Sequence, residues 1–553
     1  LSGRPNAKNV YRSSGKNILV ASEKYEYDNN DNIKKKSVLV YKSGTTGYYK
    51  VTLSEYDGKK PVRVAEYMPA VSKISDVTSI GTNPTKFAVT SYSYINAANY
   101  KGLVSKITYP EQYTGADSDK GWLYEYDDNG NCISVTNPEN STQNEIKELF
   151  EYNSFGLVTK HTSANGNIEQ YEYDDSFNIT KKLVATPSGT AVYRTVYNYL
   201  NLPTQIVEPE QYNASFEQAD GSYGDSGAGV RYEYDTTGTL IKKTDAEGNV
   251  YSYSRDGYGN IVKKVLPGGG VYLYIYDKVS NLNATFFKNS KDDEQLYYVD
   301  EHNYSNGNSV HLTTKYDSDR NIISSIQEVT NYFGKISEIS DASADGYGEI
   351  REFRYDYAGN LANEYELTDG TDWRVTYYKT GSFDSTKINL YDEKFVCLST
   401  ASGKPVLNAV TTPPSGKQYK YERTIYDKNG NVVKTMAAKG YLSYTGNLAA
   451  SNAVVETNEY YADNLLKSHT DDFGVVTNYE YDNDRNLSKM TVVENNSTVK
   501  HIEYENNYNG KPLKIKTYVF DNNITDSENL LTDDSGTYIL MENTYDKNGN
   551  LVK

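Results

Sequence analysis

The chain has 553 residues, a formal net charge of −17 and two cysteines, Cys132 and Cys397. The acidic balance argues against a nucleic-acid surface, and two thiols at this spacing form neither a disulfide framework nor a zinc site. Tyrosine is in large excess, 57 against 13 Phe, while the apolar share counted with Gly and without Tyr is about 34%, where ordinary globular domains have roughly 45–50%. Such a chain lacks the aliphatic material for a thick dry core. Tyrosine, with an apolar ring and a polar tip, suits a sheet that is wetted over much of its area. No apolar run is long enough to span a membrane, and the opening LSGRPNAKNV has neither Met nor an apolar leader. The chain is therefore expected to be a piece of a longer polypeptide.

Residues 1–20 carry no repeat and read as an entry segment. From 21 to 553 one strand-turn-strand unit recurs, beginning with YEYDNNDNIKKK at Tyr25. Its lysines 34–36 read as a solvated strand face. The unit at 121–137, GWLYEYDDNGNCISVTN, is the clearest. Tyr124 and Tyr126 share one strand face, Asp127 follows, Asn129-Gly130 predicts a two-residue type I′ turn, and Ile133 and Val135 alternate on the return. Later copies carry Tyr173-Asp174, Tyr234-Asp235 with Gly238, and Tyr355-Asp356 with Gly359. Further on come Tyr426-Asp427 with Gly430, Tyr481-Asp482, and Tyr545-Asp546 with Gly549. Adjacent copies stand about 20 residues apart, enough for two strands and two turns. Tyr-x-Tyr pairs are expected to stack into cross-strand aromatic ladders. Loop insertions are expected at about 205–230, 285–312, 375–420, 436–456 and 520–540. A motif PEQY occurs at Pro110 and again at Pro209, 99 residues later, each ahead of an Asp/Gly/Ser-rich segment; these segments read either as unrelated long loops or as a slower period of roughly five hairpins.

The pattern Tyr-Asp, two or three residues, Gly-Asn and an apolar residue resembles the YD-repeat (Rhs) family. That family includes bacterial Rhs polymorphic toxins, the B and C components of insecticidal Tc toxins, bacterial wall-associated proteins and animal teneurins. The resemblance implies an all-β fold in which tandem antiparallel hairpins join into one long spiralling sheet, part of a hollow shell. It also implies a secreted or cell-surface bacterial protein whose partners are the rest of its own polypeptide and a downstream toxin or cargo domain. A surface module that binds a glycan or protein is the alternative.

The residues suggest no chemistry. Asp127, Asn129 and Asn131 have calcium-loop spacing, but the Gly falls where a hairpin wants it. His161, His302, His311, His469 and His501 show no ligand spacing, and no GxSxG elbow or phosphate loop occurs. The family's self-cleaving segment carries Asp-Pro motifs, and this sequence has no Asp-Pro dipeptide. No catalytic residue, cofactor, metal or nucleic-acid partner is expected.

Overall fold

The computed structural model describes residues 4–553 except 14–16, 44, 82–84, 97–101, 140–146, 187–188, 225–226, 290–297, 306–307, 317–318, 320, 332–333, 342–349, 369–370, 386–388, 404–408, 410–411, 445–449, 508, 521–529 and 547–549. The described residues form antiparallel strands, interrupted by single 3-10 turns at Ile74–Asp76, Ala214–Phe216 and Ala450–Asn452. None of their helices is long and apolar enough to cross a membrane, which says nothing of spanning strands. The chain divides into two compact units. Unit 1 holds residues 1–150, 163–165 and 353–542, and unit 2 holds 151–162, 166–352 and 543–553.

The hairpin at 121–137 shows the local logic. Trp122–Tyr126 pairs with Cys132–Thr136, placing Tyr124 opposite Val135 and Glu125 opposite Ser134, before a register shift sets Tyr126 opposite Cys132. The turn is not the expected type I′. Gly130 has φ +84° but Asn129 is not left-handed; the Gly130 N–H donates to the Asp127 carbonyl, and the Asp127 N–H to that of Asn131. This is the longer hairpin loop in which a right-handed turn ends on a left-handed glycine that forms a bulge. The aspartate selects it. Asp127 Oδ1 accepts the N–H groups of Asn129 and Asn131 at 2.9 Å each, and Oδ2 accepts Asn131 Nδ2 at 2.8 Å. A carboxylate that caps N–H groups two and four residues on holds the turn without help from a second left-handed residue.

The same clasp recurs at Asp28, Asp174, Asp235, Asp256, Asp277 and Asp356. Asp427, Asp482 and Asp546 accept both the backbone and the side-chain amide of the Asn four residues on. Asn153, Asn198 and Asn507 fill the position with the same acceptor pattern. Gly238, Gly359 and Gly430 are left-handed like Gly130, and Phe177 and Arg485 take that conformation where the motif lacks its glycine. Gly549 of the last copy lies outside the described residues.

Across the ladder rings meet at Tyr41 and Tyr48, Tyr272 and Phe287, Phe395 and Tyr421, and Tyr518 and Tyr538, so aromatic ladders form in part, while many tyrosines of the repeat face lysine instead. Tyr25, Tyr171 and Tyr232 stand opposite Lys36, Lys182 and Lys243, and the glutamates between the tyrosines oppose the preceding lysines. Glu26–Lys35, Glu172–Lys181 and Glu233–Lys242 are ion pairs at 3.3, 3.4 and 2.7 Å. The motif therefore puts Tyr over a lysine stem on one face and a Glu–Lys pair on the other, satisfying both faces with few aliphatic residues. Lysines 34–36 are accordingly not one solvated face: Lys35 is buried, paired to Glu26, and its Nζ donates to the Ile74 carbonyl.

The second tyrosine of the motif has its own role. Tyr126 Oη donates to the Val104 carbonyl at 2.9 Å, Tyr173 to Val158 at 2.6 Å and Tyr234 to Pro203 at 2.8 Å. Each acceptor opens the return strand of the preceding hairpin, so the hydroxyl ties one hairpin to the next. Tyr426 differs, donating to Asp392 Oδ2 at 3.0 Å. Tyr355 and Tyr481 are half-buried, and Tyr545 forms an isolated bridge with Leu551.

Some expected boundaries move. The entry segment 1–20 already contains the strand Ala7–Ser13, paired to Asn17–Tyr27, so position 20 falls inside a strand. Much of 285–312 and 375–420 is strand rather than loop, including Asn308–Tyr316 and the long pair Asp372–Asp384 with Asn389–Cys397. Those segments lost the turn motif but kept two-residue alternation, which is what a ladder requires. True insertions cover sheet faces. The loop after Val71 brings Val77 and Ile80 onto Val51, Ala65 and Val89, and residues 212–228 bring Tyr223 and Ala228 onto Val207. A third cluster packs Phe395, Cys397, Tyr419 and Met436.

Candidate functional site

Unit 1 contains a seam at which hairpin tips rest on segments far earlier in the chain. The Glu111 N–H donates to Asn429 Oδ1 at 2.9 Å, Asn429 Nδ2 donates to Gln112 Oε1 at 3.2 Å, and the Lys428 N–H donates to the Glu111 carboxylate. Asn137 Nδ2 donates to Asp463 Oδ2 at 3.0 Å, and the Ala462 N–H donates to Glu139. Ser163 Oγ and the Asn165 N–H donate to Asp484 at 2.7 and 2.8 Å, and the Asn483 N–H donates to Asn165 Oδ1. The separations between these partners are 317, 318, 319, 321, 323 and 326 residues. The Tyr357 N–H donates to the Val40 carbonyl at a similar remove. The tips are the clasped turns of the repeat, with Asp427 and Asp482 shaping Lys428-Asn429 and Asn483-Asp484.

Two clefts open along this seam. One, of about 420 Å³, lies among Tyr41, Lys50, Asp356, Tyr378, Lys379 and Tyr391. Burial pushes the Lys50 ammonium below its ordinary range, and its Nζ donates to the Met68 carbonyl at 2.6 Å with Glu66 at 3.7 Å. Burial likewise raises the Asp356 carboxyl, against the hydrogen bonds of its own turn. The second, of about 280 Å³, lies among Asn137, Glu139, Tyr461, Asp463, Asp482 and Arg485. There buried Asp463 is met by Arg485 Nε at 3.3 Å, and the guanidinium also lies over Trp122.

Behind the first cleft, Glu393 is almost fully buried and is met by Arg423 at 3.0 Å, by Lys379 at 3.5 Å and by the Tyr421 hydroxyl. Burial, then the hydrogen bond to Glu393, drives the Tyr421 hydroxyl far above the ordinary phenol range. A buried carboxylate with two cations and a donor is compensated, which makes it a structural core charge. The histidines remain scattered. His469 meets Asn458, and His501 meets Thr491 and Glu503; in unit 2 the register sets His302 opposite His311, a pairing their spacing did not announce. Among the described residues no three His, Cys, Asp or Glu side chains group as a metal set.

The repeat-signature residues thus shape turns and join hairpins, while the seam partners Glu111, Gln112, Asn137, Glu139 and Asn165 escaped sequence reasoning. The first PEQY motif was a partial signal, since its Glu111 and Gln112 seat a tip. Its 99-residue repeat does not set the spacing of the seam contacts.

Residues 234–271 match the family model described as RHS Repeat. No curated protein gives a significant match. Among solved structures, the chain is similar to one titled as the crystal structure of TcdB2-TccC3-Cdc42, at 11% identity and TM-score 0.34, over 98% of this chain and 31% of that one. It is similar to that of TcdB2-TccC3 at 11% identity and TM-score 0.34, over 96% and 34%. A Photorhabdus luminescens Tc holotoxin pore with a TccC3 mutation gives 11% identity and TM-score 0.32, over 93% and 32%. The chain spans about a third of the length of each of these structures. The matched segment runs from Tyr234 through the Asp235 turn, Leu240–Thr244, Val250–Arg255, the Asp256 turn and Ile261–Val265. This chain carries the RHS repeat, and the clasped turn within that segment recurs along its length.

Proposed function

We propose that the chain is a wall segment of a secreted, toxin-related Rhs-type shell. In this reading the ribbon of hairpins winds with a period of about 320 residues around a wide, solvent-filled interior that holds a cargo domain of the same polypeptide. The observation that carries the reading is the near-constant separation across the seam, 317 to 326 residues at independent tips. A folded-back loop would give separations that change steadily along the contact; a winding ribbon gives one separation throughout. The small apolar clusters suit a wall one sheet thick, and the charged groups lining both clefts are partnered within the seam, which favours a structural role over ligand binding. The repeat residues serve as turn clasps and hairpin ties, with no catalytic or metal role.

Encapsulation is tested by limited proteolysis of the complete polypeptide. The cargo domain should resist a protease that digests the same domain when it is expressed alone. Equal digestion rates would reject enclosure.

A further inference from the structure

Asparagine-glycine pairs occur among the described residues at Asn129, Asn165, Asn429 and Asn509. Glycine has no Cβ to shield its nitrogen, so an asparagine before it readily loses its amide by cyclisation onto that nitrogen. Three of the pairs occupy one kind of turn: the N–H groups of Gly130, Gly430 and Gly510 donate to the carbonyl three residues back at 3.0, 3.2 and 2.9 Å, and each glycine is left-handed. What differs is the asparagine amide. Asn129 and Asn509 are exposed, and among the described residues no side-chain hydrogen bond holds either of them. Asn429 is half-buried in the seam and held at both ends of its amide. Its Oδ1 accepts the Glu111 N–H at 2.9 Å, and its Nδ2 donates to Gln112 Oε1 at 3.2 Å and to Asn464 Oδ1 at 2.8 Å. Asn165 stands between these cases, with its Oδ1 accepting the Asn483 N–H at 3.1 Å.

We propose that Asn429 is a deamidation site that acts as a one-way latch on the seam: seated, its amide is protected; released, it cyclises with Gly430, and the product no longer fits the seat. In this reaction the Gly430 nitrogen bonds to Asn429 Cγ, the Cγ–Nδ2 bond breaks, and the amide leaves as ammonia carrying the Gly430 proton. Water then opens the ring at either carbonyl, leaving aspartate or isoaspartate. While the seam is closed both reacting groups are engaged, the Gly430 N–H on the Asp427 carbonyl and the amide on Glu111, Gln112 and Asn464, so the ring forms only once these bonds break. Either product is wrong for the seat. An acid side chain has no donor for Gln112 Oε1 and Asn464 Oδ1, and its charge falls beside the Glu111 carboxylate that accepts the Lys428 N–H. Isoaspartate also adds a backbone carbon between Asp427 and Asn431, whose mutual hydrogen bonds shape the tip. The latch needs only the contacts within unit 1, and neither a winding ribbon nor a cargo domain.

Peptide mapping by mass spectrometry, after incubation of the chain in mildly alkaline buffer, tests the protection with Asn129 as a reference in the same molecule. In the folded chain Asn429 should convert at least about ten times more slowly than Asn129, because it reacts only when the seam opens, and in urea the two should convert at similar rates. Similar rates in the folded chain, conversion at neither site included, would overturn the protection. The one-way step is read by hydrogen exchange in Asn429→Asp. The peptide holding Glu111 and Gln112 should exchange about tenfold faster than in the parent chain, while Asn129→Asp leaves it unchanged. An unchanged rate in Asn429→Asp, or a rise shared by Asn129→Asp or by peptides far from the seam, would mean that the seat does not read this amide and that there is no latch.

Discussion

In most repeats the aspartate serves its turn through two oxygens: at Asp28, Asp127, Asp256 and Asp277 one accepts two backbone N–H groups and the other an asparagine amide. At Asp28, Asp127, Asp256 and Asp277 the hydrogen bonds from the asparagine four residues on hold the carboxyl below its ordinary range. A carboxyl lowered by folding contributes stability that is complete above its unfolded value, near 3.9, and is lost as pH falls through the folded one. The melting temperature should therefore be flat from about pH 8 to 5 and fall steeply below about pH 4, as many clasps are protonated together. Calorimetry across that range checks this, and a melting temperature that rises toward pH 3 would contradict it. Asp356, raised by burial, works in the opposite direction and softens the fall. At this scale the sequence was legible in part. Asn129-Gly130 announced a hairpin at the right place, but the turn class was set by Asp127, whose acceptor role competes with the backbone conformations a dipeptide prefers.

Between elements, the repeat works as a fastener. Tyr126 and Tyr173 each donate a hydroxyl to the carbonyl that opens the return strand of the neighbouring hairpin, Val104 and Val158. Replacing Tyr126 by Phe keeps the ring and removes the bond, and should cost about 0.5–1.5 kcal/mol. Tyr173→Phe should cost a similar amount, and the two should add, because they act on separate hairpins. Urea unfolding of the single and double variants measures both, and losses indistinguishable from zero would mean that water serves these carbonyls equally well. Two-residue alternation revealed the strands. It did not reveal that first tyrosines such as Tyr171 and Tyr232 meet lysine, because the strands that become neighbours were identified by their turns and their register is fixed by bulges no simple count includes. The long hairpin from Asp372 to Cys397 was missed as an element for a related reason, since it has alternation without the turn motif.

At the scale of the molecule the decisive contacts join residues more than 300 positions apart, and nothing local in Glu111 or Asn429 names the other. Composition did carry a trace: too few aliphatic residues for a slab, and small apolar clusters, two of which form where the insertions after Val71 and around Tyr223 fold over the sheet. In the proposed reading a single ribbon of this size coils, because twist accumulates from strand to strand. The central claim is that it coils around solvent, and small-angle X-ray scattering on the chain measures that most directly. The account predicts a radius of gyration clearly above the compact-domain value of about 24 Å for 553 residues, with a pair-distance distribution weighted toward long vectors as in a hollow body. A radius near that compact value, with the symmetric distribution of a filled globule, would contradict it.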